Sequence, residues 1–147
     1  MKTLLLAAAL AAQSNWIENV STDLMTDSSS VLLHTSSIVS NRDATLALRC
    51  QNNKTQVLVL FGRYLDNEPV AVTYRLGTGT PKGGVWSNDT KGKALFVPSP
   101  IRFIKQLMAH DSLTVRAEDY RGSRETVKFD TRGLSDEITT LRQTCGW

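Results

Sequence analysis

At 147 residues the chain is sized for one domain. After loss of a short leader it can still bury about two-thirds of its unfolded surface. Its net charge of +3 comes from scattered Lys and Arg with no run rich in either, so it lacks the concentrated basic face of a nucleic-acid binder. The charge bears on solubility rather than on a polyanionic partner.

Lys2 gives a short positive start, residues 4–10 are unbroken apolar, and Ala9-Leu10-Ala11 offers small residues at signal-peptidase spacing. Residues 1–12 therefore read as a signal peptide, with cleavage best placed after Ala11, and Ala12 or Ser14 as alternatives. The apolar run is far short of the roughly 20 residues that span a bilayer. No transmembrane anchor is expected after cleavage, and no Cys nearby could carry a lipid. The expected compartment is the periplasm, with release to the exterior as the alternative.

Residues 13–30 are mostly polar, with Trp16, Leu24 and Met25 as apolar exceptions. They read as an N-terminal arm whose few apolar residues dock on the core. Residues 31–147 form the single β-rich domain. Val31-Leu32-Leu33 begins a first strand. From 44 to 50 the pattern alternates, with Leu46, Leu48 and Cys50 on one face and Thr45 and Arg49 on the other. A polar turn at 51–54 leads into 55–61, nearly all apolar, which reads as a central strand buried on both faces. Val70, Val72, Tyr74 and Leu76 then line one face of the next strand.

Residues 77–84 hold four glycines and Pro81 and read as the longest flexible loop. A hairpin follows, from 85–87 across 88–92 to 94–97, with Gly92 supplying positive φ. Ser99-Pro100 reads as a helix start, Ser capping and Pro at the first position. Ile101, Phe103, Ile104, Leu107 and Met108 give that helix a broad apolar stripe. Strands at 113–117 and 126–129 flank a turn at 120–124. A last helix begins near Ser135, with Asp136 and Glu137 in its first turn, where the helix dipole favours them.

Cys50 and Cys145 are the only cysteines. In an oxidising compartment such a pair usually bonds. Cys145 shares the inward face of the last helix with Leu134, Ile138 and Leu141, as Cys50 shares that of its strand. The agreement of the two phases favours a bridge, with two free buried thiols as the rival reading. A bridge would close a loop of roughly 95 residues and contribute about 4–5 kcal/mol.

Chemistry is sparse. His34 and His110 have no Cys, Asp or Glu at metal-ligand spacing, and no Gly-x-Ser-x-Gly elbow is present. The 77–84 glycines lack phosphate-loop spacing and lead into a strand rather than a helix. Glu118 and Asp119 are adjacent on a strand and so face opposite sides, which argues against an acid–base couple. No catalytic, cofactor-binding or metal-ligating residue is assigned, and the expectation is a protein without enzyme activity or cofactor. A hydrolase using His34 or His110 is the weakest alternative. Trp16, Trp86 and Trp147 read as packing residues before recognition residues. Asn-x-Ser/Thr sequons begin at Asn19, Asn53 and Asn88.

Several segments together carry a resemblance. They are Met25-Thr26-Asp27-Ser28-Ser29-Ser30-Val31, Leu46-Ala47-Leu48-Arg49-Cys50 with Asn53-Lys54-Thr55, Val72-Thr73-Tyr74-Arg75, Trp86-Ser87, the stretch 96–104, Phe129-Asp130, Gly133-Leu134, Leu141-Arg142 and Cys145-Gly146-Trp147. In this order they resemble the VasI/TagO family of type VI secretion-associated proteins, from about Trp16 to the C-terminus. The resemblance implies a bacterial periplasmic accessory factor with no known catalytic site to carry over. Cys50 and Cys145 match the family's paired positions, and the sequons become chance matches.

The expected fold is mainly β, an antiparallel sandwich or half-open barrel of seven or eight strands, with one inserted and one C-terminal helix. The expected function is a non-enzymatic accessory of a type VI secretion apparatus, acting through protein partners in the bacterial envelope. The alternative is a secreted or phage-encoded binding module, such as a cell-wall hydrolase inhibitor, with residues 77–84 as its inserting loop.

Overall fold

The computed structural model describes residues 14–40 and 42–147. The signal peptide expected over residues 1–12 lies outside the described residues. Nine strands run in chain order: β1 (Ile17–Thr22), β2 (Ser29–Val39), β3 (Thr45–Gln51), β4 (Lys54–Leu60), β5 (Val70–Leu76), β6 (Lys82–Asn88), β7 (Ala94–Phe96), β8 (Ser112–Glu118) and β9 (Arg124–Asp130). Helix α1 (Pro100–Met108) lies between β7 and β8, and α2 (Leu134–Glu137) and α3 (Thr139–Cys145) end the chain.

The strands are ordered β1-β2-β3-β4-β7-β6-β5-β8-β9, all antiparallel, and β2 also pairs with β9. That last pairing corrects the expected sandwich or half-open barrel: β2 to β9 form a closed eight-stranded barrel. Closure rests on the length of β2. Its eleven residues pair with β3 along one edge. On the other edge the first half pairs with β1, and Ser37 and Val39, across a register shift, pair with β9. Closing the sheet removes the exposed edges that an open barrel would leave.

Inside, alternation places Val31, Leu33 and Thr35 of β2, Leu46, Leu48 and Cys50 of β3, and Leu113, Val115 and Ala117 of β8 in the core. The β3–β4 turn is the two-residue kind, with Asn52 and Asn53 both at positive φ (50° and 57°), which matches the twist of the paired strands. The three helices cover one barrel end. There Phe103 of α1 meets Tyr74 and Trp86 edge-on, with ring centroids 5.4 and 6.0 Å apart, so Trp86 is a core residue.

Three further expectations are corrected. Residues 77–84 are not one flexible loop: Lys82, Gly83 and Gly84 pair with Tyr74, Thr73 and Val72, and Arg75 binds the carbonyls of Thr78 and Gly79. Ser99 does not cap α1 with its side chain; it sits in the left-handed region at φ 50° and its carbonyl accepts the Phe103 amide. The single last helix is broken at Ile138 into α2 and α3.

Candidate functional site

At the helix-covered end, Cys50 faces inward from β3 and is bonded to Cys145 at the end of α3, with Cα atoms 5.8 Å apart and a sequence separation of 95. Trp147 continues this lock. Its indole Nε1 donates to Thr55 Oγ1 at 2.9 Å, and the Arg142 guanidinium stands 4.9 Å from its ring centroid. The chain's last turn is thus tied to β3 covalently and to β4 through a hydrogen bond. Trp16 is buried just before β1, next to Asn15, whose side chain binds Asp130 and whose carbonyl accepts Thr35 Oγ1.

The histidines are apart and without carboxylate partners among the described residues. His34 hydrogen-bonds Asn19 on the outer wall, and His110 Nδ1 meets the Gln106 carbonyl at 2.7 Å. Among the described residues no three His, Cys, Asp or Glu side chains gather as a metal site would require. Glu118 and Asp119 point apart, Glu118 toward exposed Arg124 at 3.9 Å and Asp119 into the structure.

Asp119 belongs to a cluster that sequence reasoning missed. At the barrel end opposite the helices, Arg63 donates to Asp119 at 3.0 Å and also to Glu125, and both carboxylates are buried. The Asp119 carboxylate also accepts the amides of Arg121 and Ser123, each at 2.9 Å. Burial pushes the Asp119 carboxyl up. The hydrogen bonds from Ser123, Arg63 and Arg121 outweigh this and hold it below the ordinary carboxylate value. Burial likewise lowers the Arg63 guanidinium, and its bonds to Glu125 and Asp119 more than restore it. The cluster anchors the 61–69 segment over the barrel mouth, where Leu65 is fully buried and its carbonyl accepts the Tyr120 amide.

The outer walls differ sharply. On one, Ala47, Leu58 and Ala94 form a second apolar cluster, with Leu32 and Phe96 packed against them. The register explains it: Ala47 lies opposite Leu58, Leu58 opposite Phe96, and Leu60 opposite Ala94. The strand read as buried on both faces is β4, and its outward side chains make this patch. Leu60 and Ile17 stand exposed at its margins, and the pairs Arg49–Gln56 and His34–Asn19 border it with polar groups. An apolar centre with a polar rim is the usual anatomy of a protein contact surface. On the other wall, β5, β8 and β9 present Arg75, Arg116, Arg124 and Lys128, with Glu118 beside Arg124.

The family profile for "Type VI secretion system VasI, EvfG, VC_A0118" matches residues 7–147. A search of curated proteins returned no match. Among solved structures, the chain is similar to the invasion associated protein b from Bartonella henselae. Identity is 12% and the TM-score 0.60, over 89% of this chain and 92% of that one. This likeness concerns the fold alone. No helix among the described residues is long and apolar enough to cross a membrane.

Proposed function

The chain belongs to the type VI secretion VasI family, and on that premise we propose that it is a non-enzymatic periplasmic accessory of a type VI secretion apparatus, working through protein contacts. The observation that carries the reading is the family match over residues 7–147, nearly the whole chain. Export is supported by the Lys2 start, the apolar run at 4–10 and the small residues at 9–11. The Cys50–Cys145 bond suits an oxidising compartment.

The contact surface best suited to the role is the margin of the outer cluster around Leu58, where Leu60 and Ile17 are exposed. The cluster's centre, Ala47, Leu58 and Ala94, is buried within the chain, and the apolar side chains open to a partner are those two at its margins. There the barrel supplies a rigid, preformed wall, which lowers the ordering cost of binding.

The test is deletion of the gene in a strain with an active apparatus. Effector release is expected to fall and to return with the wild-type gene. Unchanged release after deletion would sink the proposal. Fractionation adds a second check, since the complementing protein should appear in the periplasmic extract.

A further inference from the structure

The β1–β2 hairpin is unlike the rest of the barrel. Every residue from 17 to 29 is exposed, and its tip carries Leu24 and Met25, each 92% exposed. Nothing among the described residues covers them, yet the turn that presents them is well held. The Asp23 amide donates to the Ser28 carbonyl at 2.9 Å and the Asp27 amide to the Asp23 carbonyl at 2.8 Å. Asp23 Oδ1 accepts the Met25 amide at 2.8 Å, and Thr26 Oγ1 donates to Ser28 Oγ at 3.0 Å. Two apolar side chains are therefore displayed in a fixed geometry between two carboxylates, Asp23 and Asp27. Glu18 adds a third, and residues 16–40 contain no Lys or Arg.

The complementary surface lies on the basic wall. Ala71, Thr73, Gly83 and Gly84 floor a shallow depression of about 320 Å³, flanked by Arg116, Arg124 and Glu118. The glycines are informative. Neither has the positive φ that demands glycine, and an added Cβ would meet nothing closer than 4.0 Å at Gly83 or 3.8 Å at Gly84. Gly83 lies opposite Thr73 on the outer face, whereas Gly84 lies opposite Val72 with its α-carbon toward Trp86; a strand-interior glycine such as Gly83 leaves room for the close approach of another chain.

From these two surfaces we infer that the chain associates head to tail with a second copy of itself. The Leu24–Met25 tip of one copy seats in the Gly83–Gly84 depression of the next, with Asp23 and Asp27 facing Arg116 and Arg124. Edge-to-edge pairing of two hairpins is disfavoured, because Glu18, Asp23 and Asp27 would meet their own copies with no cation nearby. The contact is small and partly ionic, so it belongs with weak, salt-sensitive associations. The inference stands apart from the secretion reading, since it is read on the purified chain alone.

The experiment is sedimentation velocity of the full chain, with its disulfide intact, over a concentration series at about 0.02 M and 0.3 M salt. The wild type should associate with rising concentration at low salt and at least tenfold more weakly at high salt. The double variants Asp23→Lys/Asp27→Lys and Arg116→Glu/Arg124→Glu should each stay monomeric. Mixed one to one, they should associate again, because each reversed tip then meets a reversed depression. Gly83→Val, which fits its strand and fills the floor, should also stay monomeric with an unchanged melting temperature. A wild type that is monomeric throughout, association that survives in any one of these variants alone, or no recovery on mixing would overturn the inference.

Discussion

The two walls of the barrel are secured in different ways and turned to the solvent with different chemistry. The β2-β3-β4-β7 wall is joined to the C-terminal helix by a covalent bond at Cys50 and carries an apolar patch outside. The β5-β6-β8-β9 wall is held at its far end by the Arg63–Asp119–Glu125 cluster and carries cations, threonines and glycines outside. A covalent closure keeps its contribution at any pH, whereas a buried ionic one depends on the charge of its carboxylates. The wall offered for a stable apolar contact is thus the one with the closure least sensitive to conditions. The wall offered for weak ionic contact is secured by ions itself.

Removing the covalent closure should have the largest effect. Replacing Cys50 and Cys145 together by Ala should lower stability by about 4 kcal/mol, seen as a fall of roughly 10–20 °C in the melting temperature. A shift of only a few degrees would show that the two walls are secured alike. Next comes Arg63→Met, which leaves the Asp119 and Glu125 carboxylates without their cation. It should cost about 2 kcal/mol by denaturant titration, the Arg side chain being partly solvated. No loss there would remove the ionic cluster as the second wall's closure.

Acid should separate the two closures more finely. Asp119 and Asp130 are both held below the ordinary value of 3.8, Asp130 chiefly by the Arg132 side chain. A carboxylate whose folded value is depressed adds stability above its unfolded value and loses it as pH falls through the folded one. Stability should therefore be flat from pH 7 to about 5 and decline below about 4. Asp119→Asn should flatten part of that decline, while the double cysteine variant should keep its slope. An unchanged slope in Asp119→Asn would contradict the assignment.

Much of the interior was readable from the sequence, because alternation reports a half-buried strand: Leu46, Leu48 and Cys50 face inward as their spacing requires. Barrel closure was not, because it depends on Ser37 and Val39 meeting β9 about ninety residues away, and no local pattern encodes that pairing. Strand β1 was hidden for a simpler reason: all six of its residues are exposed, so they leave no alternation to find. Residues 82–84 looked like loop because glycine has weak strand preference, whereas their pairing with β5 decides their conformation. Of the candidate surface, the apolar run in β4 gave a fair signal, since a strand apolar on both faces must cover something outward as well as inward. The Arg63 cluster gave none, its acids lying 56 and 62 residues from the arginine.

On the proposed function, the margin of the apolar wall is the working surface of a secretion accessory. Leu60→Glu tests it most directly, because Leu60 is an exposed edge of the patch, and the melting temperature of the variant separates a lost contact from lost stability. The measurement is effector release from a deletion strain complemented with either wild-type or Leu60→Glu protein at matched levels, each with its disulfide formed. Restoration by the wild type and failure by Leu60→Glu are expected. Full restoration by Leu60→Glu would contradict this reading.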